Sequence, residues 1–362
     1  MPVLPTITVS YGSPSTNLID VETIDYSLGK RNVLDPVQPQ TLSIASGMPS
    51  SWTTPPQQKD EITITFDGVT IFTGIISDVE VQYGFTTAED KAFISAEGFL
   101  TQVARRNLNN VSFTQNTTGE QFNEMMIALG IPAYSFDNGY STASAQTFSG
   151  NAMDFLNTLS STEVGRVQDG GGEVFFIERG NTDDSASIQF SDIPADWATF
   201  IRYESVRFGS SSENYFTRVR IAPLGLAVQT ESSGTAPFYE LSLDSYDFSA
   251  TQADEHARYL LNRLADANEF ILEVRFKYQA QANSTMKDKV RTAIRDVIPI
   301  GQEVTVKFRG DTYLAICEGA QVSIDLEDVF VTYFLSPQDL NSYLVWGSGK
   351  FYNKWGTNKW GF

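Results

Sequence analysis

Glu61 to Gly74, EITITFDGVTIFTG, reads as a complete β-hairpin, and the rest of the chain can be read outward from it. Ile62, Ile64 and Phe66 alternate with Thr63 and Thr65, the period of two expected of a half-buried strand. Asp67-Gly68 then supplies the two positive-φ residues of a type I′ turn. That turn predicts a register in which Phe66 opposes Val69, Ile64 opposes Ile71 and Ile62 opposes Thr73, with the branched and aromatic side chains on one face.

A second copy stands at Glu303 to Ile316, EVTVKFRGDTYLAI, 242 residues on (303 minus 61). Over the ten positions from Glu61 to Thr70, five are identical at that offset: Glu61/Glu303, Thr63/Thr305, Phe66/Phe308, Gly68/Gly310 and Thr70/Thr312. Two more exchange Ile for Val. Each copy runs on into an acidic turn, Glu89-Asp90 and Glu327-Asp328, now offset by 238 (327 minus 89), and then into a further strand. Propensity alone can make hairpins converge, but the shared downstream turn favours duplication. Two related β-domains at opposite ends of the chain follow.

Residues 6–11, 21–28, 40–45, 79–83 and 92–98 join the hairpin as short strands, while Pro49, Pro55 and Pro56 interrupt regular pairing between them. Six or so strands within about 100 residues predict a small barrel or sandwich. The middle of the chain differs. Thr117-Thr118 opens a helix with Phe122, Met125, Met126 and Leu129 on one stripe, closed by Gly130 and Pro132. A second helix over 150–161 places Met153, Leu156 and Leu159 or Phe155 inward, and Gly170-Gly171-Gly172 turns into a strand at 173–178. No Gly-Lys-Ser/Thr follows those glycines, so they read as a turn and not a phosphate loop. Strand patterns return from Phe200. The longest helix, 251–267, turns Ala253, Ala257, Leu260, Leu261 and Leu264 inward and Arg258, Asn262 and Arg263 outward. A strand at 270–278 and a short helix at 285–295 lead to the repeated hairpin.

Composition narrows the function. A net charge of −19 repels phosphate backbones and anionic lipid, which argues against tight nucleic-acid binding yet suits a conduit along which a polyanion slides. Cys317, the one cysteine, sits in an alternating strand and reads as a buried structural thiol. The N-terminus lacks a signal-peptide pattern and no run approaches a membrane span, so the expectation is a chain made in a cytosol. His256, the one histidine, lies in the long helix without a flanking nucleophile motif, and no CxxC, HExxH or EF-hand spacing exists. Glu89-Asp90 and Asp183-Asp184 occupy turn contexts that keep carboxylates solvated. No catalytic residue, cofactor or metal is predicted.

The final stretch, VWGSGKFYNKWGTNKWGF, repeats Asn-Lys-Trp-Gly and is positive on a strongly negative chain. Its glycines preclude a stable helix. Trp346, Phe351, Tyr352, Trp355, Trp360 and Phe362 supply aromatic anchors, and Lys350, Lys354 and Lys359 add attraction to an acidic partner, so the segment is expected to dock onto another chain or a neighbouring copy. The competing expectation is a terminal strand folded back on its own domain.

DGVTIFTGIISDVEVQY, AFISAEGFLTQVARRNL, the Thr-Gly helix ending ALGIP, and NAMDFLNTLSSTEVGRVQDGGGEVFFIER follow in an order that resembles the tail hub or minor tail proteins of long-tailed bacteriophages. ENYFTRVRIA, the helix carrying Ala253 to Leu264, and IPIGQEVTVKFRGDTYLAICEG extend the resemblance over nearly the whole chain. The resemblance implies a mainly β fold with an α+β insertion, in which two tube-type β-barrel domains accompany a small α/β domain. The expected division is barrel I at 1–107, the α/β domain at 108–198, barrel II with its packed helix at 199–342, and the docking segment at 343–362. It further implies a non-enzymatic homotrimer whose six barrels cap a hexameric tail tube or distal tail protein. The C-terminus of the tape measure protein and a downstream tip or fibre protein would be partners, and genomic DNA would pass through the lumen unbound. Two other readings of the chain are a carbohydrate-binding attachment protein using Trp355 and Trp360, and a cell-wall hydrolase, whose zinc-dependent amidase and endopeptidase types the lone histidine disfavours.

Overall fold

The computed structural model describes residues 5–47, 49, 52–170, 172–179, 188–209, 216–264, 270–295 and 300–337. The fold is mostly β, with a closed six-stranded barrel and a few helices. The docking residues Trp346, Lys350, Phe351, Tyr352, Lys354, Trp355, Lys359, Trp360 and Phe362 lie outside the described residues, as do Asp183 and Asp184.

The N-terminal unit uses six strands: Ile7–Tyr11, Val21–Gly29, Thr41–Gly47, Glu61–Phe66, Val69–Gln82 and Lys91–Glu97. Across the sheet they run in the order Ile7, Glu61, Val69, Lys91, Thr41, Val21, every pair antiparallel. The opening hairpin is present. Asp67 and Gly68 have φ of 48° and 79°, the pair of positive values a type I′ turn requires. Ile62, Ile64 and Phe66 are all fully buried, and Phe66 opposes Val69 as expected.

Beyond that first pair the expected register fails. Ile64 opposes Phe72 and Ile62 opposes Gly74, because a bulge between Ile64 and Thr65 adds one residue on the second strand. The bulge brings both Ile71 and Phe72 into buried positions, which strict alternation forbids. It also sets Gly74 where a Cβ would stand 2.4 Å from the Glu97 carbonyl oxygen, so only glycine fits.

The C-terminal unit also uses six strands: Ile188–Ser191, Ile201–Gly209, Phe270–Lys277, Glu303–Phe308, Asp311–Asp325 and Val329–Pro337. Its hairpin turn repeats the first one, with Arg309 at φ 51° and Gly310 at 95°. Here the sheet closes on itself. Ile188–Ser191 pairs in parallel with both Glu303–Phe308 and Ile201–Gly209, and Val329–Pro337 bridges Asp311–Asp325 and Phe270–Lys277. Ile188–Ser191 falls inside the stretch expected as α/β, a difference that alternation over only four residues could not signal.

Between the barrels in sequence lie α1 (Leu100–Ala104), α2 (Thr118–Leu129) and α3 (Ala152–Glu163), packed with short strands around their own core. Thr117 caps α2 by accepting from the Glu120 N–H, and Gly130 ends it at φ 64°. The buried residues of α2 include Phe122, Met125, Met126 and Leu129, the stripe its spacing predicted. In α3 the inward set is Phe155, Leu156 and Leu159, with Met153 only half-buried. The long helix α4 (Ala250–Leu264) buries Ala253, Ala257, Leu260, Leu261 and Leu264 against Val219 and Ile221. Those two residues belong to a separate three-stranded sheet of Arg218–Pro223, Gln229–Ser232 and Glu240–Ser245, not to the barrel wall. The short helix α5 (Ser284–Arg295) reaches back to the first barrel, where Arg291 meets Asp67 at 3.2 Å.

Candidate assembly surface at the junction of the barrels

One strand builds the junction. Asp311–Asp325 has fifteen residues, longer than its hairpin partner Glu303–Phe308, so only Asp311 to Ile316 pair there. The remainder, Gly319 to Asp325, offers the same edge to the first barrel and pairs antiparallel with Gly29 to Thr23. The two barrels are therefore one hydrogen-bonded sheet. Where the backbones meet, both sides carry glycine. A Cβ on Gly29 would lie 2.5 Å from the Glu318 carbonyl oxygen, and one on Gly319 would lie 2.3 Å from that of Lys30. The Lys30 N–H donates to the Glu318 carbonyl at 2.9 Å.

A bulge between Cys317 and Gly319 turns the Glu318 side chain inward. Its carboxylate accepts from Arg166 Nε at 3.2 Å, from Arg263 Nη2 at 2.6 Å and from the Ser336 hydroxyl. Arg166 comes from the α/β unit, Arg263 from α4 and Ser336 from the strand Val329–Pro337, so three elements converge on the one anion of a fourth. Burial alone would raise the Glu318 carboxyl; the two guanidinium charges overcome it and hold its pKa at about 2. Arg263 was expected on the outer face of its helix and is instead 5% exposed. Helical spacing places it beside Leu260, and the buried carboxylate is what makes that position tolerable.

A second carboxylate ties the α/β unit to the first barrel. Asp169 accepts from the backbone N–H groups of Leu100 at 2.7 Å and Gln40 at 3.0 Å. Burial pushes its pKa up to about 7, against the pull of those two donors. Glu163, at the end of α3, is fully buried and accepts from the Thr118 hydroxyl and from the Tyr140, Ser141 and Arg179 N–H groups. Each of these acids serves internal donors, which is structural work. None of Glu318, Asp169, Glu163 and Arg166 was singled out from sequence. The available signal was an ionisable residue inside a largely apolar run, Glu318 in LAICEGAQV; Arg166 and Asp169 stand in RVQDG, whose burial no local pattern announces.

His256 is buried, its Nδ1 lying 3.0 Å from Asp247 Oδ2, to which the Ser245 hydroxyl also donates at 2.7 Å. The serine contacts the aspartate and not the imidazole, so the order of a nucleophile–base–acid relay is not met. The group fastens α4 to the strand Glu240–Ser245. Cys317 is fully buried, and burial pushes its thiol well up, as befits a structural cysteine. Glu89 and Asp90 fold their carboxylates back onto the N–H groups of Phe85 and Gly84, and Asp90, expected to be solvated, is buried by that turn. Among the described residues no cluster of three or more His, Cys, Asp or Glu is placed to hold a metal, and no helix is long and apolar enough to cross a membrane.

On the outer face of the sheet an open cleft of about 280 Å³ lies among Arg31, Arg207, Arg275, Glu273 and Gln321. In the first barrel, Tyr83 is 78% exposed and Phe85 is fully exposed at the tip that follows Val69–Gln82. These aromatics sit at the end of a sheet and not in a pocket, a placement suited to contact with another chain.

Duplicated six-stranded units sharing one sheet, with an α/β unit wedged beside them, make this the fold of phage tail proteins. A tail protein from Neisseria meningitidis MC58 matches with a TM-score of 0.67 at 11% identity, over 93% of this chain and 97% of its own. The 43 kDa tail protein of prophage MuSo2 from Shewanella oneidensis matches with a TM-score of 0.61 at 13% identity, over 92% and 97%. The E. coli c3393 protein, a component of the type VI secretion system described as similar to the T4 tail proteins gp27 and gp5, matches with a TM-score of 0.52 at 11% identity, over 92% and 77%. No protein-family model and no curated sequence matches the chain.

Proposed function

We propose that this chain is a structural hub of a phage tail tip, a homotrimer whose six barrels form a ring of near-sixfold symmetry. The observation that carries the reading is the junction: one chain holds two similar barrels already joined edge to edge, so that three chains supply six related units. Such a ring can meet a hexameric tail tube or distal tail protein on one side and pass to threefold partners on the other. The resemblance to tail proteins over more than nine-tenths of the chain supports this placement.

In this reading the barrels, the α/β unit built on α1, α2 and α3, and a docking segment over 343–362 have separate tasks. The C-terminus of the tape measure protein and the genome traverse the lumen, where the charge of −19 keeps DNA from adhering. The segment carrying Trp346, Trp355 and Trp360 docks onto a downstream tip or fibre protein. The protein acts without catalysis, since its buried acids and its histidine are engaged by internal partners. It assembles in the host cytoplasm and resides in the virion.

Native mass measurement on the purified chain, alone and with tail-tube protein, tests the proposal. A trimer that binds the tube is expected. A stable monomer without affinity for tube components contradicts it.

A further inference from the structure

Eight strands follow one another in a single antiparallel run: Val69–Gln82, Lys91–Glu97, Thr41–Gly47, Val21–Gly29, Asp311–Asp325, Val329–Pro337, Phe270–Lys277 and Ile201–Gly209. The junction lies at its middle. Both ends are open. At one end, Glu61–Phe66 stops pairing at Ile75, which leaves the outer edge of 77–82 without a ladder. At the other, Ile188–Ser191 covers only Ile201 and Arg202, which leaves the outer edge of 203–209 without a ladder among the described residues. Free edges of this length are templates for another strand.

The two halves of the run align about a shared central row. Val79, Ile94, Ile44 and Ile24 form a row across the first half, and Ala320, Tyr333, Val274 and Val206 form the matching row in the second. Two bulges agree with that alignment: Ile76/Asp78 matches Cys317/Gly319, and Val21/Thr23 matches Tyr203/Ser205; a third, at Arg207/Phe208, has no counterpart in the first half, and its extra residue, Leu272, lies on the neighbouring strand, so Ile201–Gly209 runs on through it. Inside the chain the halves are joined by Val322 opposite Tyr26, each two residues beyond its row. Repeating the same step outward sets Val81 opposite Phe208.

We infer that the edge 80–84 of one copy pairs antiparallel with the edge 205–209 of a second copy, in the register that puts Val81 opposite Phe208, Gln82 opposite Arg207 and Tyr83 opposite Val206. This rests on the hub reading and gives its subunit contact a register. The side chains agree with it independently. Val81, Val206 and Phe208 are half-buried and share the inner face with exposed Tyr83, while Glu80, Gln82, Ser205 and Arg207 are exposed and share the outer face. A slip by one residue would set apolar against polar throughout. Glu80 falls diagonal to Arg207, though Arg207 already pairs with Glu273 in its own copy, so the ladder and the covered Tyr83 carry the contact. The Gly29/Gly319 approach has no glycine counterpart at Asp78, which limits the pairing to 80–84.

Disulfide trapping reads the register. In the full chain carrying Gln82→Cys and Arg207→Cys, oxidation is expected to give covalent species of two and three chains that end at three, because opposed strand residues stand within disulfide reach. Cys317 is buried and stays silent. Either substitution alone is expected to give no species beyond the single chain. A second variant, Tyr83→Asp, alters an exposed side chain and should leave thermal unfolding of the isolated chain unchanged, while weakening self-association about tenfold or more by burying an unpaired charge. If the unsubstituted chain forms trimers but the double-cysteine variant gives no bond between chains, the register is wrong and the hub reading stands. If the unsubstituted chain is monomeric at every concentration and ignores tail-tube protein, the hub reading falls and the pairing falls with it.

Discussion

The two barrels share a strand order and differ in how they end. In the C-terminal one, Ile188–Ser191 runs parallel to both neighbours and closes the cylinder. In the N-terminal one, Ile7–Tyr11 runs antiparallel to Glu61–Phe66, and no ladder joins it to Val21–Gly29 among the described residues. The edge thus left on Val21–Gly29 is the one the second barrel occupies through Gly319 to Asp325. An open barrel and a closed one are therefore complementary parts of one sheet. The two parts match in strand order, and one flanking strand distinguishes them.

The largest difference lies at the bulge in the long strand of each barrel. The second barrel places Glu318 there, in contact with two arginines; the first places Ser77 at the matching position, donating only to the Ser95 carbonyl. Glu318→Ala strands two buried guanidinium groups and is expected to cost about 3 to 5 kcal/mol in denaturant unfolding. Ser77→Ala should change stability by no more than about 0.5 kcal/mol. Equal effects at the two positions would break the contrast.

The same carboxylate makes the protein acid-sensitive. Its folded pKa of about 2 lies below the ordinary 4.5, so its stabilisation is fully present above pH 4.5 and is lost as pH falls from 4.5 towards 2. The loss is on the order of 3 kcal/mol, and Glu318→Gln should flatten that limb of the stability curve. Smaller is the cost of Gly319→Ala, expected at about 2 kcal/mol because the new Cβ presses on backbone, whereas Asp78→Ala at the matching place in the first barrel should be neutral in the isolated chain. Smallest are Gly68→Ala and Gly310→Ala. Both glycines have positive φ with nothing within 4 Å of the added carbon, so each should cost about 1 kcal/mol and the two should match. A clear inequality would mean that the hairpins are not equivalent.

What could be read in the sequence was what local periodicity encodes. The hairpin turn and its copy, the α2 stripe with its Thr117 cap, and the inner face of α4 all follow from spacing and turn chemistry that operate within a few residues. What escaped depends on partners far along the chain. The bulge that moves Phe72 inward, the burial of Arg263 and the assignment of Ile188–Ser191 to a barrel are fixed by contacts that no window of sequence contains. The candidate surface was legible only in part. The repeat announced that two units exist, but the edges they leave free emerge from the strand pairing, and the aromatic segment over 343–362 lies outside the described residues.

Negative-stain imaging of the purified assembly tests the central claim most directly, because it counts barrels around the axis. A threefold ring with six lobes of similar size is expected, each chain contributing two adjacent lobes. A single-chain particle, or a ring whose lobes do not number six, would contradict it.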